Sequence, residues 1–333
     1  MHVVITGANG FVGQALTNYL LSMPPSLKHE GEVKAVSELT LIDRHFDSAF
    51  PSKPVKKNVT IAMHSGDLAD QTWLSELLKQ SSIDVIFHLA SIPGGMAEQN
   101  EALARQVNID ATITLLEACK MQTLAGQGKP RLVFASSIAV FGQLPERVTD
   151  ATPLNPQLSY GAHKVVGEVM INDFSRRGWV DGRSLRLPGV LARPPAETGQ
   201  LSAFLSDIIR QVSQGHAFFC PMSPQAKTWA SSLPNVVENL MHAAVVEESK
   251  MEAGRTFTLP TLCFSMAELV SAIGSVYQQK AHELVRYDVD PMIEQLFGCF
   301  PPLETPKADR AGFKHDGDLK SLVERALPDK THS

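Results

Sequence analysis

The chain contains no apolar run approaching the ~18 residues that a membrane span requires. Its amino terminus, MHVVITGANG, lacks a basic segment leading into an apolar stretch and a cleavage site, so no signal peptide is expected. Cysteine is scarce. Cys119, Cys220, Cys263 and Cys299 stand too far apart for a CxxC pair or a zinc-ligand spacing, and scattered thiols without an export signal point to a reducing cytoplasm. There is no basic excess either. Thirty Lys and Arg against 35 Asp and Glu leave a net charge of -5, so nucleic acid and membrane are not expected partners. His and carboxylates show no metal-ligand spacing, and no metal is expected. Repeats and low-complexity segments are also missing. What remains is an ordinary 44% hydrophobic content over 333 residues, which excludes disorder. At about 150 residues per domain, the length suggests two domains, or one large α/β unit with an appended lobe.

The first half alternates strand-like and helix-like segments. HVVIT (2–6), ELTLID (38–43), VTIAMHSGDL, DVIFHLA, RLVFASS (131–137) and RSLRLP read as strands, several of them continuously apolar as if covered on both faces. Between them lie helical patterns over GFVGQALTNYLLSM (10–23), over 73–79, over about 97–122 and over about 159–176. This alternation predicts a Rossmann-type, doubly wound parallel sheet with right-handed crossovers over residues 1–188. The segment 26–38 reads as a surface insertion. After Pro188 the prolines multiply, and FLSDIIRQV, PNVVENLMHAA and MAELVSAIGSVY read as helices around a short strand, TFTLP. Residues 189–333 are therefore expected to form a smaller, mixed α/β substrate lobe.

VVITGANGFVG places Gly7, Gly10 and Gly13 between the first strand and the first helix. Glycine there permits a tight turn, close approach to a pyrophosphate and close helix–sheet packing. The helix amino terminus supplies unpaired N–H groups for the anion. Asn9, Phe11 and Val12 belong to the same turn and are counted with it. Asp43 ends the second strand, where a carboxylate hydrogen-bonds both adenosine ribose hydroxyls and repels a 2′-phosphate. The expected cofactor is therefore NAD rather than NADP, with Arg44 the residue that would take a phosphate instead.

Of four tyrosines only Tyr160 has a lysine four residues on, Lys164, on the same helix face. A nearby ammonium favours the phenolate, and a phenol tuned in this way can take an alcohol's proton as hydride leaves its carbon. Ser136 and Ser137 end the preceding strand, and ligands in parallel sheets sit beyond strand carboxyl ends. A serine hydroxyl there can hold the substrate oxygen. His88, in an apolar strand, reads as a satisfied core residue, and His163 points away from the Tyr160–Lys164 face.

The glycine turn, HLAS, VNIDAT, SSIAVFG and YGAHK follow one another in an order that resembles the extended short-chain dehydrogenase/reductase superfamily over the whole chain, most firmly over 1–195. The resemblance implies Ser137, Tyr160 and Lys164 as the catalytic set. It implies Asp67 and Leu68 beside the adenine, and Leu89, Ala90 and Ser91 under the adenosine ribose and diphosphate. It implies Asn108 near the active-site lysine, Ser136 at the cofactor, and Pro188 and Val190 flanking the nicotinamide. PGGMAEQN, SSIAVFGQLPERVTD and CPMSPQAKTWASSLPNVVENLMHA resemble members that oxidise a small sugar acid at C2. The long helices would then pair two subunits into a homodimer.

For a sugar acid, Arg193 is the candidate for the carboxylate, since its fork suits a planar anion. Gly94 would let the backbone approach the substrate, and Trp229 would close the pocket from the second lobe. Two other readings stay open: a nucleotide-sugar epimerase or dehydratase, and a non-catalytic NAD-binding protein. RLPGV stands where the epimerases commonly carry an asparagine, and non-catalytic members typically lose the tyrosine or lysine that this chain keeps. Asp43 yields a direct test. Turnover should show a higher kcat/KM with NAD than with NADP, and Asp43→Ala should narrow that gap; a higher value with NADP would make Arg44 the reader of a phosphate.

Overall fold

Strand β1 (His2–Thr6) sends Val3 and Ile5 to one face and Val4 to the other, and all three are fully buried. That alternation within an unbroken apolar run is the signature of a strand covered on both sides. In the computed structural model, which describes residues 1–22, 26–29, 32–52, 59–191, 201–251 and 255–327, six further strands join it. They are β2 (Glu38–Asp43), β3 (Thr60–Ser65), β4 (Val85–His88), β5 (Arg131–Ser137), β6 (Asp181–Leu187) and β7 (Thr256–Thr258). The order is β7-β6-β5-β4-β1-β2-β3, with every neighbouring pair parallel. The direction of winding reverses between β1 and β4, and a ligand crevice opens beyond strand carboxyl ends at such a point.

Helices α1 (Phe11–Ser22), α2 (Gln71–Leu78), α3 (Ala111–Leu124), α4 (Ser159–Arg176) and α5 (Leu233–Val245) cover the two faces. On one face Val3, Ile5, Leu41, Phe87 and Leu185 pack with Leu16 and Leu20 of α1 and with Val236 and Leu240 of α5. On the other, Val4, Ile86, Leu132 and Phe134 pack with Leu74 of α2, Leu115 of α3, and Ile171 and Phe174 of α4. A separate core in the second lobe gathers Phe204, Ile208, Ile209, Val212, Leu269, Ile273 and Leu322. The lobe's small sheet runs 262–265, 227–232, 189–191, so the chain enters it directly after Pro188. No helix among the described residues is long and apolar enough to cross a membrane.

Three expectations are corrected. The strand TFTLP does not belong to the smaller lobe: Thr256–Thr258 pairs in parallel with β6 as the seventh strand of the main sheet. Helix α5 likewise returns to the first core, so the two cores do not divide at residue 188. Finally, 97–122 is not one helix. Asn100 leaves helical geometry and caps the next turn by accepting the Leu103 N–H, and Gln106–Asp110 widens into a π-turn before α3. Within the segment 26–38, Ser26–His29 and Glu32–Ala35 pair antiparallel apart from the main sheet, whereas Val36 is buried in the first core and Glu38 already begins β2.

A buried charge cluster fastens α5 beneath the sheet. Asp181, at the start of β6, takes Arg131 Nε and an Arg183 terminal nitrogen at 2.9 Å each, and Arg255 at 2.6 Å. Arg131 and Arg183 also donate to the carbonyls of Ala244 and Ala243, in the last turn of α5. Cations suit that end of a helix, where unpaired carbonyls concentrate negative charge. Burial pushes the Asp181 carboxyl up, but the adjoining guanidinium groups outweigh it and hold the group down at about 2. Its free carboxyl would titrate near ~3.9, so this contribution to stability is present above that pH and is lost as pH falls toward about 2. Asp181→Asn leaves buried guanidinium groups without their anion. It should lower unfolding stability by about 3–5 kcal/mol, read from urea denaturation at pH 7.

Candidate active site

The crevice at the β1–β4 switch is set by backbone contact. Gly7 has a φ of +73°, and a Cβ there would lie 2.7 Å from the Ala90 amide nitrogen. Gly13 is as constrained, since its Cβ would fall 2.0 Å from the Gly7 carbonyl oxygen. Gly10 N–H closes the turn on that same carbonyl at 3.1 Å. The amino end of α1 therefore reaches the crevice as bare backbone, a donor set that fits a dinucleotide diphosphate. Phe11 and Val12 begin α1, both half-buried. Asp43 is tied into this cradle: one carboxylate oxygen accepts the Asn9 N–H and the other the Arg44 N–H, each at 2.8 Å. Both oxygens keep further lone pairs for ribose hydroxyls. Asp67 and buried Leu68 follow β3, with Asp67 accepting the Ala69 N–H at 3.0 Å. Leu89, Ala90 and Ser91 follow β4 and line the crevice opposite Gly7.

Ser137 closes β5. Its oxygen accepts the Ala139 N–H at 3.1 Å, capping the short turn Ile138–Val140 and leaving its own O–H to donate. Strand alternation sends Ser136 the opposite way. Its hydroxyl donates to Glu168 at 2.5 Å and is buried, which corrects the expectation that it serves the cofactor. The first turn of α4 sits against the Ser137 turn at Gly161, where a Cβ would come within 2.4 Å of the Ala139 carbonyl oxygen. Tyr160 and Lys164 lie on that helix one turn apart. Lys164 is 2% exposed, with Nζ 4.7 Å from the Phe134 ring centroid and 5.4 Å from that of Tyr160. Burial draws its ammonium down to about 7, against the opposing charge of Glu168.

Behind the lysine runs a chain of neutral groups. Thr6 and Thr112 flank the His88 ring at 2.7 Å and 2.9 Å, and Thr112 donates to the Asn108 carbonyl at 2.8 Å. Because the Thr112 proton points at that carbonyl, His88 carries its own proton on Nε2. Burial first, then the Lys164 charge, hold His88 down at about 3, so it is the satisfied core residue the sequence suggested. The Asn108 amide exchanges bonds of 3.0 Å and 2.8 Å with the backbone of Ile92 and stands 3.3 Å from His163 Nδ1. The π-turn gives Asn108 this reach, and such turns recur at functional positions.

Of the substrate candidates, Gly94 opens the helix Gly94–Gln99, near Leu158 at the threshold of α4. Glu98 of that helix accepts the Ser159 N–H at 2.6 Å, fastening the two elements together. Arg193 lies outside the described residues. Trp229 is not a pocket wall. It is fully buried among Val140, Phe141 and Val148, and its indole N–H donates to the Pro301 carbonyl at 2.7 Å. Pro188 is buried, and Val190 is half-buried on the strand paired to 231. Sequence reasoning missed Gly161, Glu168 and Arg186. Glu168 was detectable as the next step after Tyr160 and Lys164 at four-residue spacing; Arg186 carried no local signal.

A family model described as the NAD dependent epimerase/dehydratase family matches residues 3–230. D-erythronate dehydrogenase of Cupriavidus necator is 34% identical over 331 residues, covering 99% of this chain and 98% of that protein. D-erythronate dehydrogenase of Haemophilus influenzae is 32% identical, covering 98% and 99%. Among solved structures, a nucleoside-diphosphate-sugar epimerase from Agrobacterium tumefaciens superposes with a TM-score of 0.88 at 31% identity, covering 99% of this chain and 94% of its own. L-threonine dehydrogenase from Clostridium difficile shares the fold, with a TM-score of 0.80 at 23% identity over 98% and 96%.

The contact at Gly161 has a measurable consequence. Gly161→Ala should force α4 off the Ser137 turn and lower stability by about 1–3 kcal/mol in urea unfolding. NADH affinity, held mainly from the β1–β4 side, should change far less.

Proposed function

The chain belongs to the NAD-dependent epimerase/dehydratase family, and from that premise we propose that it oxidises D-erythronate at C2 to 2-oxo-D-erythronate. The observation that carries the reading is the end-to-end identity to two D-erythronate dehydrogenases in a chain that keeps Ser137, Tyr160 and Lys164. NAD would lie along the Gly7–Gly13 turn, with Asp43 at the adenosine ribose and Pro188 and Val190 beside the nicotinamide. Bound there, the cofactor supplies the hydride acceptor. The Ser137 O–H donates to the substrate's C2 oxygen and fixes it toward Tyr160. The Tyr160 phenolate takes the hydroxyl proton. Lys164 favours that phenolate by its charge and holds a cofactor ribose hydroxyl. Arg193 supplies the guanidinium for the substrate carboxylate, and Gly94 lets the backbone pass close to the sugar chain.

Two further features belong to this reading. Val166 and Val169 on α4 and Met121 and Leu124 on α3 are large apolar side chains turned outward, which supports pairing of these helices in a homodimer. Free thiols at Cys119, Cys220, Cys263 and Cys299 suit a reducing cytoplasm.

The assay is NADH absorbance with D-erythronate and NAD, alongside other C4 and C5 sugar acids. NADH should accumulate in step with the 2-oxo acid. Release of no NADH from any of these acids would overturn the reading, and interconversion of a nucleotide sugar would replace it with an epimerase. Tyr160→Phe should lower kcat by about 10²–10⁴-fold with cofactor affinity nearly intact, and Ser137→Ala should behave likewise.

A further inference from the structure

The face of α4 that carries Tyr160 and Lys164 continues one turn on to Glu168, which is buried. Its carboxylate is gripped from two strands. Arg186 of β6 clasps it bidentately, at 2.9 Å to Oε1 and 2.8 Å to Oε2. Ser136 of β5 donates to Oε1 at 2.5 Å. Each anchor adjoins a segment of the site: Ser136 precedes Ser137, Arg186 stands two residues before Pro188, and Glu168 shares its helix with the base. A bidentate buried pair fixes orientation as well as charge. A buried ion pair repays its desolvation only with good geometry and further hydrogen bonds, and the Arg186 fork and the Ser136 hydroxyl supply both.

Lys164 is the group that needs the anion. Beside Lys164 stand Tyr160, His163 and Glu168 from α4, His88 from β4 and the Phe134 ring from β5, with Arg186 of β6 held on the Glu168 carboxylate. His88 is neutral, and burial lowers His163 as well. The anion of this set is Glu168. We propose that Glu168, clasped by Arg186 and Ser136, is the positioning residue that keeps the buried Lys164 charged, and that it does so while joining the three segments of the site. The inference rests on the role given to Lys164 in the dehydrogenase reading. It explains why a lysine drawn down to about 7 by burial is not drawn further: Glu168 opposes the burial.

The test reads the lysine itself. In the full-length protein labelled with ¹³Cε-lysine, the Lys164 resonance, assigned by its loss in Lys164→Arg, is titrated by NMR. Glu168→Gln should lower its midpoint by about one unit or more, because an opposing charge is removed while burial stays. Glu168→Asp, which keeps the charge, should remain nearer to wild type than Glu168→Gln. A merely structural role gives the opposite sign, since a loosened core admits water and lets the midpoint rise toward about 10.4. Should Glu168→Gln not fold, the double variant with Arg186→Met leaves no buried guanidinium unpaired, and it should show a smaller fall in the same direction, because a cation leaves with the anion. A midpoint at or above the wild-type value in the folded variant overturns the proposal. The titration needs no turnover, so failure to oxidise D-erythronate would leave this result standing on its own.

Discussion

How near α4 can lie to the sheet decides what the site can do. Three glycines set that distance. A Cβ on Gly161 would press on the Ala139 carbonyl, one on Gly167 would come within 2.8 Å of the Phe134 ring, and one on Gly182 of β6 would meet Ile171 at 2.3 Å. With side chains removed at these points, the helix settles onto β5 and β6, and its inner face is buried at Lys164 and Glu168 while Tyr160, in its first turn, stays half-buried. Tyr160, Lys164 and Glu168 occupy that face in succession. The buried lysine is thus a result of backbone packing rather than of any one contact, and its low affinity for a proton follows from the same closeness.

The opposite wall of the crevice is built by the same means but with different chemistry. Gly7 lets the turn rest on Leu89 and Ala90, and behind that contact Thr6, His88, Thr112 and the Asn108 carbonyl form a line of neutral hydrogen bonds. Neutrality matters there. A protonated His88 would set a second cation beside Lys164, and burial prevents it. The two walls therefore divide the work. Behind the phosphate turn the hydrogen bonds are neutral; on α4 the charges of Lys164 and Glu168 are gathered instead.

Much of this was legible in the sequence because it is local. Period-two and apolar runs marked β1, β2 and β5 to the residue, and α4 is bounded as its pattern indicates. The glycine turn at the β1–β4 switch and the Tyr160–Lys164 pair on one helix face were both readable from spacing. What escaped depends on partners distant in the chain. Thr256–Thr258 is too short to declare which sheet it joins, and only its pairing with β6 decides it. Asn100 and the π-turn interrupt a stretch whose apolar spacing reads as continuous helix. Trp229 and Ser136 were assigned outward roles, yet the first is packed with its N–H satisfied and the second faces Glu168. Arg186 is one arginine among many until β6 is laid beside α4.

The return of the chain to its first core gives the molecule a particular order of assembly. Residues after Leu185, Val236, Leu240, Phe257 and Phe313 among them, complete a face of the sheet begun by the strands and α1 of the first half. During synthesis, then, the nucleotide-binding half emerges with one apolar side covered only by α1 until α5 and Thr256–Thr258 follow, and second-lobe core residues are made both before them, at Phe204, Ile208 and Val212, and after them, at Leu269, Ile273 and Leu322. The two cores are therefore interleaved along the chain rather than made one after the other. A chain interrupted after Pro188 would retain the phosphate turn, Ser137, Tyr160 and Lys164, yet expose a sheet face to solvent and to its neighbours. The residues we propose for the chemistry are encoded early, but the core that supports them is completed only by residues as late as Phe313.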